Sequence, residues 1–169
     1  MGYTTDFCGH FTLDKPLNTA QIAYLKAFNE TRRMSRDAAI AATLPDPIRE
    51  AVGLPIGKDG QYFVGGSGFM GQDGDASVKG YNDNSPEQPG LWCQWIPSED
   101  GTVIEWDGGE KFYYYTEWIT YIIEHFLKPW GLVLSGDVEW SGEEGGDLGI
   151  IRIEDNVARE CPGRVTYEE

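Results

Sequence analysis

Apolar and polar residues alternate through the first 13 positions of the chain. The alternation places Phe7, Phe11 and Leu13 on one side of an extended segment and Asp6 and His10 on the other. A period of two residues is typical of a strand with one buried face. We therefore predict that this N-terminal segment is a strand that contributes to the core.

The spacing of the apolar residues then changes to that of a helix. Asn18 followed by Gln21 is a variant of the capping box that begins helices. After it, apolar residues recur at helical spacing, at Ile22, Leu25 and Phe28. Shorter helical patterns continue to Gly53, so we predict an N-terminal helical segment over residues of about 18–53.

A stretch rich in Gly, Asp, Asn and Pro follows, from Gly53 to Gly90. Only residues 61–64 have the composition of a short strand within it. An irregular loop of about 25 residues is unusual in a compact domain and is often functional. We therefore predict a Gly-rich loop at about 65–90 and a candidate site within it.

The second half of the chain predicts a hairpin, a helix and further strands. Ser98-Glu99-Asp100-Gly101 has the residues of a tight turn, so residues 91–107 form the hairpin. An amphipathic stripe predicts the main helix at about 109–127, and alternating segments predict strands over 132–160. We predict one α+β domain over residues 1–169: a mostly antiparallel sheet, covered by the helical segment and the long amphipathic helix.

The chain carries a formal net charge of -15, and the charge is unevenly distributed. Residues 98–124 have a net charge of -6 and residues 137–169 a net charge of -7. Such a field repels nucleic acid and anionic membranes and attracts basic surfaces. We therefore predict no direct nucleic-acid or membrane partner; the alternative explanation of this charge is that it serves solubility alone.

Our first functional hypothesis is a non-enzymatic protein that occupies a basic surface of a partner protein through its acidic C-terminal half. A nuclease or a host defence factor, with a nucleic-acid-binding surface, is one such partner. Carboxylates at alternate positions of a strand are about 7 Å apart, which makes mimicry of a DNA strand geometrically feasible. The candidate carboxylates are Glu99, Asp100, Glu139, Glu143, Glu144 and Asp147.

The second hypothesis is a small-molecule site, closed by the 65–90 loop, that binds or sequesters a nucleotide. Arginines near the end of the first predicted helix would hold the phosphates, and aromatic side chains would stack on the base. The candidate residues are Arg32, Arg33, Arg36, Trp92, Tyr114 and Trp118. The alternative reading of the arginines is structural, because cations stabilise a helix C-terminus.

The third hypothesis is a carboxylate- or metal-dependent hydrolase. Asp73 and Asp75 have the spacing of the first ligands of a calcium loop, but Val78 and Asn84 replace its glycine and its bidentate glutamate. Asp6, Cys8 and His10 share one strand face, yet their spacing of about 7 Å exceeds hydrogen-bond reach. We therefore predict no catalytic residue, no cofactor and no metal site, with Asp73 and Asp75 as the only weak metal candidates.

Three widely separated cysteines, Cys8, Cys93 and Cys161, favour a reducing compartment over a disulfide framework. The N-terminal residues lack the charged and apolar regions of a signal peptide, and no apolar run approaches the length of a membrane span. We therefore expect a cytoplasmic protein. The oligomeric state does not follow from these patterns.

Two segments carry a resemblance to known sequences: the opening residues MGYTTDF and the stretch EWDGGEKFYYYTEWITYIIEHFLKPWG. Through them, most of the chain resembles a group of uncharacterised small acidic proteins of bacteria and their phages, with no known activity. The resemblance implies no site residue. It implies a bacterial or phage-encoded accessory protein, a setting in which small acidic domains act as anti-defence inhibitors.

Overall fold

The computed structural model describes residues 2–168, which form an α+β fold with four α-helices and a mostly antiparallel sheet of seven strands. The chain divides into two compact units. The first unit consists of Met1–Pro16 and Gln94–Glu169, and the second unit is Leu17–Cys93. The single domain that we expect over the whole chain stays a prediction.

The alternating N-terminal segment forms two strands, β1 (Asp6–Gly9) and β2 (Phe11–Leu13). Both pair antiparallel with β7 (Leu134–Ser141) in one continuous register. Between them Gly9 has a φ of +102°, a conformation that glycine adopts at little cost. The predicted strand is therefore present, with a kink at Gly9, and its apolar positions Phe11 and Leu13 are buried.

Four more strands complete the large sheet: β5 (Trp95–Pro97), β6 (Val103–Trp106), β8 (Leu148–Glu154) and β9 (Val157–Pro162). Hydrogen bonds connect them in the order β5-β6-β2-β7-β8-β9, and β1 lies beside β7. A hairpin forms at the predicted turn: the Ser98 amide donates to the Val103 carbonyl, and Gly101 has a φ of +74° in the turn. Its first strand begins at Trp95, so the predicted start at residue 91 is wrong.

Alternate residues of β7 and β8 separate a core face from an outer face of the sheet. The core face is buried and consists of Val138, Trp140, Gly149, Ile151 and Ile153. The ring of Tyr115 lies 5.9 Å from that of Trp140 on this side. On the outer face, Glu139 and Ser141 are exposed and Leu148 and Ile150 are half-buried. The two faces therefore differ as expected for a sheet with one buried side.

The main helix is shorter at its start than the amphipathic stripe predicts. It begins at Tyr115 as α4 (Tyr115–Ile122) and continues as a π-helix over Ile123–Leu127. Lys111 and Tyr114 have φ values of +57° and +58°, which a helix does not accommodate. The predicted start at residue 109 is therefore wrong, whereas the predicted end at Leu127 is confirmed. No helix within residues 2–168 is long and apolar enough to cross a membrane.

The second unit begins with α1 (Thr19–Glu30), and its capping box is present. The Gln21 amide donates to Asn18 Oδ1 at 2.8 Å, and the Asn18 amide donates to Gln21 Oε1 at 2.9 Å. Two short helices follow, α2 (Ala38–Ala41) and α3 (Pro47–Ala51), with Asp37 capping α2. The segment over residues 18–53 that we predict to be helical thus contains three helices, but Met34–Arg36 between α1 and α2 is a strand, so the segment is not helical throughout.

The Gly-rich stretch is more ordered than its composition suggests. Strand β3 (Met34–Arg36) pairs antiparallel with β4 (Val78–Asn84), which lies inside the predicted 65–90 loop. The predicted strand at 61–64 is absent, and those residues form irregular backbone after a 3₁₀ turn at Lys58–Gly60. Both errors arise because apolar pattern and strand formation do not coincide here. Strand β4 is mostly exposed and lacks an apolar period, whereas Phe63 is buried without being in a strand.

Candidate functional site

Arg33, a candidate phosphate ligand, is buried inside the second unit with 3% of its surface exposed. Its guanidinium donates to the carbonyl oxygens of Thr31, Gln61 and Phe63, the last at 2.7 Å. It also lies 4.3 Å from the centre of the Phe28 ring. Arg33 therefore holds the irregular segment around Gln61 in place, and its cation is already satisfied by backbone carbonyls.

Arg36 is equally inaccessible, with 2% exposure. Its Nη1 forms an ion pair with Asp75 Oδ2 at 3.0 Å and donates to Ser77 Oγ at 2.9 Å. Burial opposes ionisation of Asp75, but hydrogen bonds from Ser77 and Arg36 outweigh it and hold the pKa of that carboxyl below its usual range. Asp75 thus has a structural partner, and residues 2–168 contain no group of three His, Cys, Asp or Glu side chains able to hold a metal ion.

The remaining candidate residues of the nucleotide hypothesis differ in burial and in the groups that they contact. Arg32 is the only arginine of the three that is not buried, and its guanidinium lies 4.3 Å from the Tyr81 ring and 6.0 Å from the Trp92 ring. Trp118 is fully buried and Tyr114 is 57% exposed. A phosphate site built on all three arginines is therefore not supported, because Arg33 and Arg36 are buried and already bind other groups of the protein.

The six candidate carboxylates lie in two separate places of the first unit. Strands β6 and β7 run in the same direction, since both are antiparallel to β2. The turn with Glu99 and Asp100 precedes β6, whereas the turn with Glu143 and Glu144 follows β7. The two turns are therefore at opposite ends of the sheet, about 20 Å apart along the strands.

Asp100 has a structural role in its turn. Its carboxylate accepts hydrogen bonds from the Ser98 hydroxyl and from the amide and hydroxyl of Thr102. These bonds hold the pKa of Asp100 below its usual range, with Thr102 making the largest contribution. Glu99 beside it is exposed. In this tight turn, the carboxylate of Asp100 stabilises the turn and the carboxylate of Glu99 is exposed.

The other four carboxylates lie at one end of the sheet, on the hairpin formed by β7 and β8. We call them the hairpin carboxylates: Glu139, Glu143, Glu144 and Asp147. The N-terminal segment fixes the turn that carries three of them. The Tyr3 hydroxyl donates to Asp147 and accepts from the Glu144 amide, and the Thr4 amide donates to Glu143 Oε1 at 2.7 Å. The bond to Asp147 raises the pKa of Tyr3 above its usual range.

Charge is strongly segregated between the two units. The first unit contains 19 acidic and 6 basic residues, a net charge of -13, and the second contains 9 and 7, a net charge of -2. In the second unit, acids pair with bases in Asp46–Arg49, Asp59–Lys79, Asp75–Arg36 and Glu87–Lys58. In contrast, none of the hairpin carboxylates forms an ion pair with any cation in the described part of the chain.

The outer face of the sheet contains an open groove of about 470 Å³. Its lining includes Asp6, Cys8, Glu139, Leu148, Ile150 and Arg164. Cys8 lies opposite Glu139, which in turn lies opposite Ile150. The groove therefore joins one hairpin carboxylate to an apolar floor. Sequence reasoning missed this groove because its residues come from three strands and the C-terminal tail.

Comparisons with protein-family models, curated proteins and solved structures give no match. Any functional conclusion therefore depends on the geometry and charge of the chain itself. The resemblance to small acidic proteins of bacteria and phages stays a prediction, as does the expected cytoplasmic location.

Proposed function

We propose that the chain is a non-enzymatic binding protein that engages a basic surface of a partner protein through the hairpin carboxylates. A bacterial or phage-encoded inhibitor that covers the nucleic-acid-binding surface of a nuclease or defence factor is the specific form of this proposal. It places binding at the β7–β8 end of the sheet and gives Glu99 and Asp100 no direct part.

One observation carries the proposal: almost all of the net charge lies in the first unit, and its hairpin carboxylates have no cationic partner there. Unpaired carboxylates at a surface keep their full attraction for a cation of another molecule. A field of this sign also accelerates encounter with a basic surface and excludes anionic competitors. Solubility alone does not require the charge to be segregated in this way.

The fixed position of the acidic turn supports the same proposal. Tyr3 and Thr4 hold Asp147, Glu143 and the backbone of Glu144 through hydrogen bonds. A surface that is already ordered loses less conformational entropy when a partner binds. The hairpin of β7 and β8 is therefore better suited to specific recognition than a mobile acidic tail of equal charge.

The experiment compares two triple variants that remove the same charge. The first, Glu139→Gln with Glu143→Gln and Glu144→Gln, removes hairpin carboxylates; the control, Glu99→Gln with Glu110→Gln and Glu117→Gln, removes acids elsewhere in the first unit. Each is used to capture proteins from a bacterial lysate at about 50 mM salt, followed by elution at about 500 mM salt. We expect wild type and control to retain the same basic proteins and the hairpin variant to lose them.

Equal loss in both triple variants would mean that only net charge matters, and retention by the hairpin variant would exclude these carboxylates. No specific observation favours nucleotide binding or hydrolysis as a second function. The nucleotide hypothesis loses Arg33 and Arg36 to internal contacts, and Asp75 of the hydrolase hypothesis is paired with Arg36. We therefore propose neither of them.

A further inference from the structure

Two neighbouring rows across the outer face of the sheet differ in how their negative charge is compensated. In the first row, Asp137 on β7 faces Arg152 on β8, and the two form an ion pair at 3.0 Å. In the second row, Glu139 faces the apolar side chain of Ile150. Glu139 therefore lacks the cross-strand cation that Asp137 has, although both lie on the same face of β7.

The floor of the groove is apolar and accessible. Leu148 and Ile150 occupy alternate positions of β8 on the outer face and are half-buried, whereas Gly149 and Ile151 between and beyond them are buried on the core face. The two accessible side chains are about 7 Å apart along the strand. A volume of about 470 Å³ above them is within the range of sites that bind small molecules or side chains.

The walls of the groove carry opposite charges. Asp6 on β1 and Glu139 on β7 are exposed on one side, and Arg164 of the C-terminal tail lines the other. None of the three forms an ion pair with another residue of the described chain. An occupant with a cation on the β1 side is therefore favoured, while a cation beside Arg164 is disfavoured.

We propose that this groove binds an extended segment of the basic partner in which the side chains that enter the groove, at every second position, are alternately basic (arginine or lysine) and apolar. The aliphatic stem of one basic side chain lies on Leu148 with its cation between Glu139 and Asp6, and the apolar side chain next to it in the groove lies on Ile150. Adjacent strands are about 4.8 Å apart, so one long basic side chain covers both an apolar residue on β8 and a carboxylate on β7. This inference rests on the proposed function, because it identifies the part of the partner that the acidic surface recognises.

The alternation follows from the sheet itself. Equivalent positions recur every two residues along β7 and β8, as the pairs Glu139–Ile150 and Ser141–Leu148 do. An extended segment also repeats every two residues, so every second side chain enters the groove. Charge complementarity and the apolar floor together favour this occupant over a purely basic segment, which would place no apolar side chain on Ile150.

The test uses two blocked seven-residue peptides as probes, Arg-Ser-Val-Ser-Arg-Ser-Val (the Arg–Val peptide) and Arg-Ser-Ser-Ser-Arg-Ser-Ser (the Arg–Ser peptide), which differ only at positions that enter the groove together with the arginines. Affinities are measured by fluorescence anisotropy at low salt. We expect the Arg–Val peptide to bind wild type at least about fivefold more tightly than the Arg–Ser peptide, because only the former places an apolar side chain on Ile150. Ile150→Thr keeps a branched side chain suited to a strand, and we expect it to remove that preference.

Glu139→Gln tests the charged wall, with Glu117→Gln on α4 as the matched control. We expect Glu139→Gln to weaken the Arg–Val peptide by about three- to tenfold and the control to change affinity by less than about twofold. In a Cys161→Ser background, saturating Arg–Val peptide should also slow alkylation of the exposed Cys8 thiol, which lines the groove. Circular dichroism verifies that each variant is folded.

The outcomes separate this inference from the proposed function. If the hairpin triple variant loses both peptides while Ile150→Thr and alkylation of Cys8 are unaffected, the acidic surface binds but the groove does not. If wild type binds neither peptide, this inference is wrong, whereas the proposed function is tested separately by the lysate capture with the two triple variants. If the amine n-hexylamine protects Cys8 at the concentration at which the peptide does, the groove is a small-molecule site and the peptide proposal is overturned.

Discussion

The hydroxyl of Tyr3 donates a hydrogen bond to the carboxylate of Asp147 across 144 residues of sequence. The same oxygen accepts the Glu144 amide at 3.1 Å, so one side chain fixes two positions of the acidic turn. Without this oxygen, Asp147 and the Glu144 amide would each lose their protein partner. The N-terminal segment is thus a structural support of the proposed binding surface, although Tyr3 itself carries no charge.

Tyr3→Phe tests this support without changing the net charge. We expect faster amide hydrogen exchange at residues 142–147, because the turn loses the partner of Asp147 and of the Glu144 amide. Exchange within α1 of the second unit serves as the internal control and should be unchanged. Unchanged exchange in the turn would show that Tyr3 does not order it.

Arg49 and Asp46 form a buried ion pair at 2.7 Å, with 7% and 1% exposure. We expect Arg49→Leu to lower the free energy of unfolding by about 3 to 5 kcal/mol, because it leaves the Asp46 carboxylate buried without its cation. Lys58→Gln removes an exposed ion pair with Glu87 and should cost less than about 1 kcal/mol. Urea denaturation of both variants measures the difference, and equal costs would contradict the assignment.

Burial, with repulsion from Glu160 and Asp147, raises the pKa of Tyr115 to about 12. An unfolded tyrosine ionises near pH 10, so stabilisation by the neutral form is complete below about pH 10 and is lost as the pH rises towards 12. Tyr115→Phe should therefore make stability decrease less steeply over this interval. Tyr167 is 90% exposed, and Tyr167→Phe is the control that should leave the slope unchanged.

Arg164 provides a test of the direction of the charge across the groove. We expect Arg164→Gln to bind the Arg–Val peptide about twofold more tightly than wild type, because it removes a like charge from one wall. Glu168→Gln in the same tail changes the charge by one in the opposite direction and serves to measure general effects of the tail. Weaker binding by Arg164→Gln would mean that Arg164 itself contacts the peptide favourably.

Local patterns predicted much of the secondary structure. The capping box at Asn18 and Gln21, the turn at Gly101 and the alternation in β8 all depend on neighbours within a few residues, and each is confirmed. The failures have a different origin. Strand β4 has no apolar period of its own, and the left-handed Lys111 and Tyr114 delay the main helix despite a continuous apolar stripe.

The candidate site was less accessible to sequence reasoning because it depends on long-range pairing. Burial of Arg33 and Arg36 arises from carbonyls and a carboxylate about 30 to 40 residues away along the chain. The separation of Glu99 and Asp100 from the hairpin carboxylates follows from strand order. The groove likewise requires the register of β1, β7 and β8, which places Ile150 opposite Glu139. Composition indicated an acidic surface but not its location.

The most direct test of the account is the salt dependence of binding to a purified partner recovered by lysate capture, measured for wild type and both triple variants. The account predicts that affinity falls steeply between about 50 and 500 mM salt for wild type and for the Glu99, Glu110 and Glu117 control, and that the hairpin variant binds weakly with a shallow slope. Equal slopes and affinities for the two triple variants would contradict the claim that the hairpin carboxylates form the binding surface.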